Sequence, residues 1–245
     1  TIAILNFIQK VKKEVSNNTA HIEIDSTNIV IDDSVNLKGD FKITDGIKDS
    51  KDQLIEDLLK QKSKIKILFL ASNSLNYNPL RLDKEMREIE MELIKAKYRD
   101  NFDFIKFSAV RIKDLQDALL NYSPNFVHFA GHGSSEGIAL LDNDSDAKRI
   151  VKSEPLANLF KLFSNDISAV FLNSCFSKEQ GSLIRKFIPN VIGMRNSVPD
   201  KTAIEFASTF YKGIGSGREI SFSFELAKNS IDLNNIQGSN IPVLL

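Results

Sequence analysis

The sequence predicts an α/β protein: a mainly parallel sheet with helices on both faces, plus a small N-terminal appendage at residues 1–62. Two observations predict this fold. From residue 63 to residue 245, short continuous apolar segments alternate with amphipathic segments, as buried parallel strands do with their connecting helices. Before residue 63 the segments are shorter and more polar. We therefore expect one α/β domain over residues 63–245, preceded by a separate element.

The appendage is predicted to contain a helix, two strands and a charged connection. Apolar spacing over residues 4–15 indicates a short amphipathic helix, and alternation in "HIEID" and "NIVID" indicates half-exposed strands. The segment "DSKDQLIEDLLKQKSK" is interpreted as a solvated helix or linker. We expect this appendage to offer a contact surface to a partner protein, such as an upstream activator or sensor.

Composition and charge narrow the function classes. The chain has 32 Lys and Arg against 32 Asp and Glu, so no overall positive field draws it to nucleic acid or to an anionic membrane. No apolar run reaches the ~18–20 residues that a membrane-spanning helix needs. Cys175 is the only cysteine, which excludes an intrachain disulfide. These features favour a cytoplasmic location without direct nucleic-acid or membrane partners.

Five strands are predicted in order along the main domain. They are "IKILFLAS", "FDFIKFSAV", "FVHFA", "SAVFLN" and "VIGM". Helices are expected in the connections, for example where Leu82, Met86, Ile89 and Leu93 recur at helical spacing. The connection after "FVHFA" contains a small interruption around "IALL" before its helix, and two helices close the chain.

Two candidate catalytic residues follow neighbouring predicted strands. His132 follows "FVHFA" and stands between Gly131 and Gly133, while Cys175 follows "SAVFLN" 43 residues later. Ligands of open parallel sheets bind beyond the carboxyl ends of the strands, and adjacent strands lie only ~5 Å apart. If these two strands are neighbours, the imidazole and the thiol can meet.

This pair suits nucleophilic catalysis. A thiol with a pKa of ~8.5 is only slightly ionised at neutral pH, and an adjacent imidazole can accept its proton. The backbone N–H groups of Gly133 and Cys175 are candidate donors to an oxyanion, and glycine permits unusual backbone angles and close approach. Each residue alone also has an ordinary explanation, as a buried thiol or a turn histidine.

The chain resembles the CHAT family of caspase-like cysteine peptidases. The resemblance rests on "HFAGHG", "LNSC" and "VIGM", and on the segments that open and close the main domain. It implies a caspase-type fold and cleavage of a protein substrate by a Cys–His dyad, with His132 as acid and base and Cys175 as nucleophile. It also implies a regulated role in bacterial anti-phage defence, such as cleaving a gasdermin-like target.

Two further residues are candidates for substrate binding. Some relatives that cut after Arg or Lys carry an acidic residue two positions before the nucleophile, where this chain has Asn173. We therefore expect the residue before the cut to be neutral. Arg195 opens the loop "RNSVPD", which could form a pocket wall. The simpler interpretation of Asp200, at the end of that loop, is that it caps the next helix.

No cofactor or metal is predicted. His128 is interpreted as a satisfied core histidine or one that supports the site. "DNDSDA" begins like a calcium loop, but Ala147 replaces its turn glycine and Ser153 its bidentate glutamate, so a solvated loop is expected.

Two alternatives remain open at this point. The fold could serve as a catalytically silent interaction module. The chain could also be a nucleotide-hydrolysing effector related to Toll/interleukin-receptor domains, which would depend on a helix glutamate such as Glu88 or Glu90 rather than on Cys175.

Overall fold

The computed structural model describes residues 22–25, 28–31, 36–38, 64–72, 80–145 and 147–245. The chain divides into two units, Thr1–Ser63 and Lys64–Leu245. In the first unit, β1 (Ile22–Asp25), β2 (Asn28–Ile31) and β3 (Asn36–Lys38) form an antiparallel sheet. The two strands predicted there are present. The predicted helix over residues 4–15 and the charged segment up to residue 63 lie outside the described residues.

The second unit contains nine strands and six α-helices among its described residues. The strands are β4 (Ile65–Ser72), β5 (Phe102–Phe107), β6 (Phe126–Gly131), β7 (Gly133–Ser134), β8 (Gly137–Leu141), β9 (Lys148–Lys152), β10 (Ala169–Asn173), β11 (Val191–Met194) and β12 (Pro242–Leu244). The helices are α1 (Leu82–Lys95), α2 (Ile112–Tyr122), α3 (Ser153–Leu162), α4 (Lys178–Ile184), α5 (Asp200–Gly215) and α6 (Ile220–Leu233), with a 3₁₀ turn at Arg99–Asn101.

The main sheet has six strands in the order β12-β11-β10-β6-β4-β5. Every pair is parallel except β11 with β12, which is antiparallel. The predicted mainly parallel sheet is therefore confirmed, and each of its five predicted strands is present. In a parallel sheet all carboxyl ends lie at one edge, so the loops that follow β4, β6, β10 and β11 meet there.

Two elements were not predicted from the sequence. The interruption around "IALL" is a second, antiparallel sheet of β7, β8 and β9, which the N–H of Ala139 ties to the carbonyl of His132 at 2.9 Å. The other element is β12, a short edge strand near the end of the chain. Both consist of short strands without a distinct apolar period. The strands β7, β8 and β9 pair with their neighbours along the chain, whereas β12 pairs with β11, which is remote in sequence.

Helices cover both faces of the main sheet. On one face, Leu119 of α2, Phe160 of α3 and Ile184 of α4 share an apolar cluster with alternate residues of the central strands, including Leu68 and Val170. On the other face, Phe171 of β10 makes edge contacts with Phe206 and Phe210 of α5, each at 5.6 Å between ring centroids. Among the described residues, no helix is both long and apolar enough to cross a membrane.

Two adjacent leucines of α2 test this core assignment. Leu119 is fully buried, whereas Leu120 is 67% exposed. Leu119→Ala removes apolar contacts and leaves a cavity, so we expect the free energy of unfolding to fall by about 2–5 kcal/mol. Leu120→Ala is the matched control, with an expected change of about 0.5 kcal/mol or less. Urea denaturation of both variants measures the difference, and equal losses would contradict the packing described for α2.

Candidate active site

The pairing of β6 with β10 brings His132 and Cys175 to the same place. The two strands are parallel neighbours, and the last residue of β10, Asn173, lies opposite Ala130. His132 and Cys175 each follow this pair by two residues, so they leave adjacent strands at the same level. The predicted neighbourhood of the two strands is therefore present.

Glycines allow the two loops to pack directly on each other. A Cβ at Gly133 would lie 2.8 Å from the carbonyl oxygen of Cys175 and 2.9 Å from the Cβ of Ser174. A Cβ at Gly131 would lie 2.7 Å from the carbonyl oxygen of Ser72, at the end of β4. Neither glycine has a positive φ, so the expectation that they supply unusual backbone angles is wrong. Their role here is to leave space for the neighbouring backbone.

One pocket is shared by the candidate dyad. It lies between the carboxyl edge of the sheet, the start of α1 and the start of α5. Cys175 is partly exposed as a residue and lines this pocket. The side chains and backbone that line the pocket belong to Leu80, Arg81, Leu82, Glu85, Gly131, His132, Asn173, Ser174, Cys175, Val198, Asp200, Ala203 and Ile204.

The loop after β11 forms a wall of this site. The hydroxyl of Ser197 lies 3.5 Å from the Sγ of Cys175, and Val198 and Asp200 line the pocket. A hydroxyl at this distance can donate a hydrogen bond to a thiolate. Ser197 could not be predicted as a neighbour of Cys175 beyond its place in the loop "RNSVPD".

A buried polar network lies beneath the pocket. Oε1 of Glu85, which is 3% exposed, accepts hydrogen bonds from Nδ2 of Asn173 at 2.6 Å and from Nε2 of His128 at 2.8 Å. The other ring nitrogen of His128, Nδ1, lies 3.3 Å from the hydroxyl of Tyr211. Burial, together with the negative charge of Glu85, raises the pKa of Tyr211, so this hydroxyl keeps its proton. The network joins α1, α5, β6 and β10.

The interpretation of His128 as a satisfied core histidine is confirmed. Its imidazole is fully buried, stacks on Phe69 at 4.9 Å between ring centroids and uses both nitrogens. The role of Glu85 was missed. Its signal was available, because Glu85 occupies the same helical face as Leu82, Ile89 and Leu93, and a carboxylate on an apolar stripe needs a buried partner.

The network requires an amide at position 173. Nδ2 of Asn173 donates to the carboxylate of Glu85 and, at 3.4 Å, to the carbonyl of Ala203. This orientation leaves Oδ1 as the other end of the amide, buried and without a hydrogen-bond partner among the described residues. A carboxylate at position 173 would lie within hydrogen-bond distance of the Glu85 carboxylate. Two ionised carboxylates repel each other at that distance.

Two other predicted residues differ from what the sequence analysis expected. Arg195 is exposed and is not among the residues that line the pocket; its N–H donates to the carbonyl of Ile241 at 2.9 Å. Asp200 does not cap α5, whose N-cap residue is Pro199; its Oδ2 accepts a hydrogen bond from the N–H of Arg81 at 3.3 Å. The capping prediction is therefore wrong, since Asp200 lies inside the helix.

The two glutamates named as examples for the nucleotide-hydrolysing alternative do not line the pocket, although Glu85 of the same helix does. Glu88 and Glu90 are absent from its wall, and Glu90 forms an ion pair with Lys106 at 2.7 Å. The described residues contain no group of three or more His, Cys, Asp or Glu side chains placed to hold a metal ion.

With the fold and the pocket established, the family can be assigned. The model of the CHAT domain family matches residues 50–235, which is more than half of the chain. The chain belongs to the CHAT family. The resemblance drawn from the motifs around His132 and Cys175 is thereby confirmed.

Curated relatives of this CHAT chain are named as proteases. It is 24% identical over 228 residues to a "Roc-COR-CHAT protease" from an unknown prokaryotic organism, a match that covers 89% of this chain and 21% of the relative. It is 22% identical over 173 residues to a "Probable protease" of Gillisia limnaea, covering 69% of this chain and 31% of the relative. The chain thus spans less than a third of either relative's length.

Solved structures show the same fold. The crystal structure of the Arg-specific cysteine proteinase gingipain R superposes with a TM-score of 0.53 at 13% identity, covering 78% of this chain and 49% of that chain. The complex of the Porphyromonas gingivalis RgpB pro- and mature domains gives a TM-score of 0.51 at 13% identity, covering 76% and 49%. The fold of the CHAT unit is therefore that of the caspase-like gingipains.

Gly133→Ala tests the close packing of the two loops. The added methyl group must displace the backbone of Cys175, so we expect the free energy of unfolding to fall by about 1–3 kcal/mol. Thermal unfolding measures this change. Gly217→Ala is a control for strain outside the pocket. Gly217 has a positive φ and faces the ring of Tyr98. A Gly133→Ala protein as stable as the unmodified chain would show that the loops do not pack as described.

The acid–amide pair of Glu85 and Asn173 generates a second prediction. Asn173→Asp places two carboxylates in contact, so we expect a loss of about 3–5 kcal/mol in the free energy of unfolding at pH 7. Glu85→Gln added to Asn173→Asp reverses the roles of donor and acceptor, so the double variant should regain most of that stability. Urea denaturation of both single variants and the double variant checks this. Additive losses would contradict direct contact.

Proposed function

We propose that this CHAT chain is a cysteine endopeptidase that cleaves a protein substrate with Cys175 and His132. The observation that carries the proposal is that both residues line one pocket at the carboxyl edge of the sheet, from adjacent parallel strands. The names of the curated relatives and the gingipain-like fold support the same class of reaction.

The pocket suits acyl transfer in two steps. His132 takes the thiol proton of Cys175, and the sulfur attacks the substrate carbonyl carbon, forming a C–S bond. The backbone N–H groups of Gly133 and Cys175 are the proposed donors to the oxyanion. Collapse of the intermediate breaks the C–N bond, and His132 protonates the leaving amine. Water then attacks the thioester with His132 as base, which releases the acid product and restores the thiol.

The polar groups of the pocket support a neutral residue before the cut. The side-chain amide of Asn173 replaces the acid found in relatives that cut after Arg or Lys, and its buried Oδ1 is an acceptor without a partner among the described residues. The carboxylate of Glu85 already accepts two hydrogen bonds. We therefore propose Asn173 as the residue that contacts the substrate side chain. Arg195, exposed at the start of the "RNSVPD" loop, is proposed to contact the substrate outside the pocket.

We also propose that the peptidase is a regulated effector. Bacterial members of the CHAT family often act in anti-phage defence, where a partner switches them on and a gasdermin-like protein is cut. The chain spans only part of the length of its curated relatives. We propose that a partner protein controls its peptidase activity. Residues 1–62 are the proposed surface for an activator.

Cleavage-site mapping tests the activity and the specificity together. The chain is incubated with a peptide library, and products are identified by mass spectrometry. Cys175→Ala should abolish cleavage, and His132→Ala should lower it by about 10²–10⁴-fold because acid–base catalysis is lost. His21→Ala, in the appendage, is a matched histidine control that should cleave normally. Cleavage that persists in Cys175→Ala would overturn the proposal and favour a different nucleophile.

A further inference from the structure

The residue directly after the nucleophile has an unusual backbone. Phe176 has φ of 57°, in the left-handed region that favours glycine. The other described non-glycine residues with positive φ are Ala109, Ser123 and Asn235, which are small or polar. Asparagine is several-fold enriched in this conformation, whereas a bulky side chain there is an outlier.

The surrounding chain holds Phe176 in this conformation. Its N–H donates to the carbonyl of Asn196 at 3.3 Å, in the loop after β11. The next residue, Ser177, is 1% exposed; its hydroxyl donates to the carbonyl of Leu172 at 2.8 Å and accepts from the N–H of Met194 at 3.0 Å. The turn that carries Cys175 is therefore fixed at both sides to β10 and β11, and Phe176 cannot relax without breaking these bonds.

Packing covers only part of this residue. Phe176 is 42% exposed. The other large apolar side chains that the described residues expose all lie on helices: Met91, Ile94, Leu120, Tyr122, Leu162, Phe222 and Leu233. Phe176 is thus the exposed apolar side chain at the edge of the sheet where Cys175 and His132 lie.

The order of the strands indicates which part of a substrate reaches Phe176. β11 flanks β10 on one side and β6 flanks it on the other. His132 follows β6 and, as the acid that protonates the leaving amine, marks the side of the segment after the scissile bond. Phe176 is tied to the loop after β11, so it lies toward the segment before the scissile bond.

We propose that Phe176 is a substrate-contact residue whose exposed ring takes an apolar side chain of the polypeptide just before the scissile bond. This proposal rests on the proposed peptidase function. Backbone strain of this kind concentrates at functional sites, where the surrounding structure maintains it. Here the strain presents an aromatic surface beside the nucleophile, and a glycine would satisfy the backbone without offering that surface.

Three substitutions separate the ring from the backbone. Phe176→Gly relieves the strain and removes the ring, so the melting temperature should rise by about 2–4 °C while kcat/KM falls by about 10-fold or more. Phe176→Ala should lose cleavage similarly, through a higher KM, and Phe176→Leu should retain most of it. In the peptide library, an apolar preference at one position before the cut should disappear in Phe176→Ala and Phe176→Gly.

Matched controls isolate each effect. Phe222→Ala removes a ring of similar exposure from α6 and should leave cleavage unchanged. Asn235→Gly relieves a positive φ outside the pocket and should raise the melting temperature without changing kcat/KM. The rate of Cys175 alkylation by iodoacetamide should match that of the unmodified chain in Phe176→Ala, which shows that the nucleophile itself is intact.

The outcomes are distinct. In one outcome, the unmodified chain cleaves, and Phe176→Ala cleaves at the same rate and with the same sequence preference. That result overturns the role of Phe176 and leaves the peptidase function standing. An unmodified chain that cleaves no peptide overturns the peptidase function, and this proposal with it.

Discussion

The parallel pairing of β6 with β10 is the constraint on which the site depends. The register sets Asn173 opposite Ala130, so the residues two positions beyond, Cys175 and His132, leave the sheet together. Sliding one strand by a residue would move its whole set of side chains to the opposite face of the sheet. The apolar packing on both faces therefore maintains the register, and the register in turn keeps His132 and Cys175 at the same end of adjacent strands. The contacts that stabilise the sheet therefore also position the two candidate catalytic residues.

The network around Glu85 extends this constraint to the pocket. A buried carboxylate is costly unless its hydrogen bonds are satisfied, and Glu85 is satisfied by Asn173 and His128. These bonds tie α1 to the two strands that precede His132 and Cys175, and Tyr211 adds α5. The same contact fixes the chemistry of position 173, because the residue must donate a hydrogen bond to Glu85. The choice of amide over acid in the pocket is thus linked to the packing of a helix far away in sequence.

Much of this arrangement could be predicted from the sequence, and the remainder could not for identifiable reasons. Continuous apolar strands such as "FVHFA" and "SAVFLN" predict burial on both faces of the sheet. The ends of these strands predict where His132 and Cys175 lie. The strands β7, β8 and β9 are too short to show a clear alternation of apolar residues, and the edge strand β12 pairs with β11, which is remote in sequence. Asp200 has a residue type typical of an N-cap, but Pro199 takes that position and Asp200 bonds Arg81 instead. The apolar stripe of α1 signals that Glu85 needs a buried partner, but the identity of that partner depends on segments remote in sequence. The space that Gly131 and Gly133 provide likewise depends on neighbouring loops.

The central claim is that His132 acts directly on Cys175, and the single cysteine makes this claim measurable. Alkylating reagents can label the chain's thiol at Cys175 alone, so the rate of iodoacetamide labelling reports that site. The rate should be measured from pH 5 to 9 in the unmodified chain and in His132→Ala (about four pH units that bracket the ordinary imidazole and thiol ranges). The account predicts labelling at neutral pH that is at least about 10-fold faster in the unmodified chain, because His132 takes the thiol proton as the sulfur attacks the reagent. Identical pH profiles in the two proteins would contradict it.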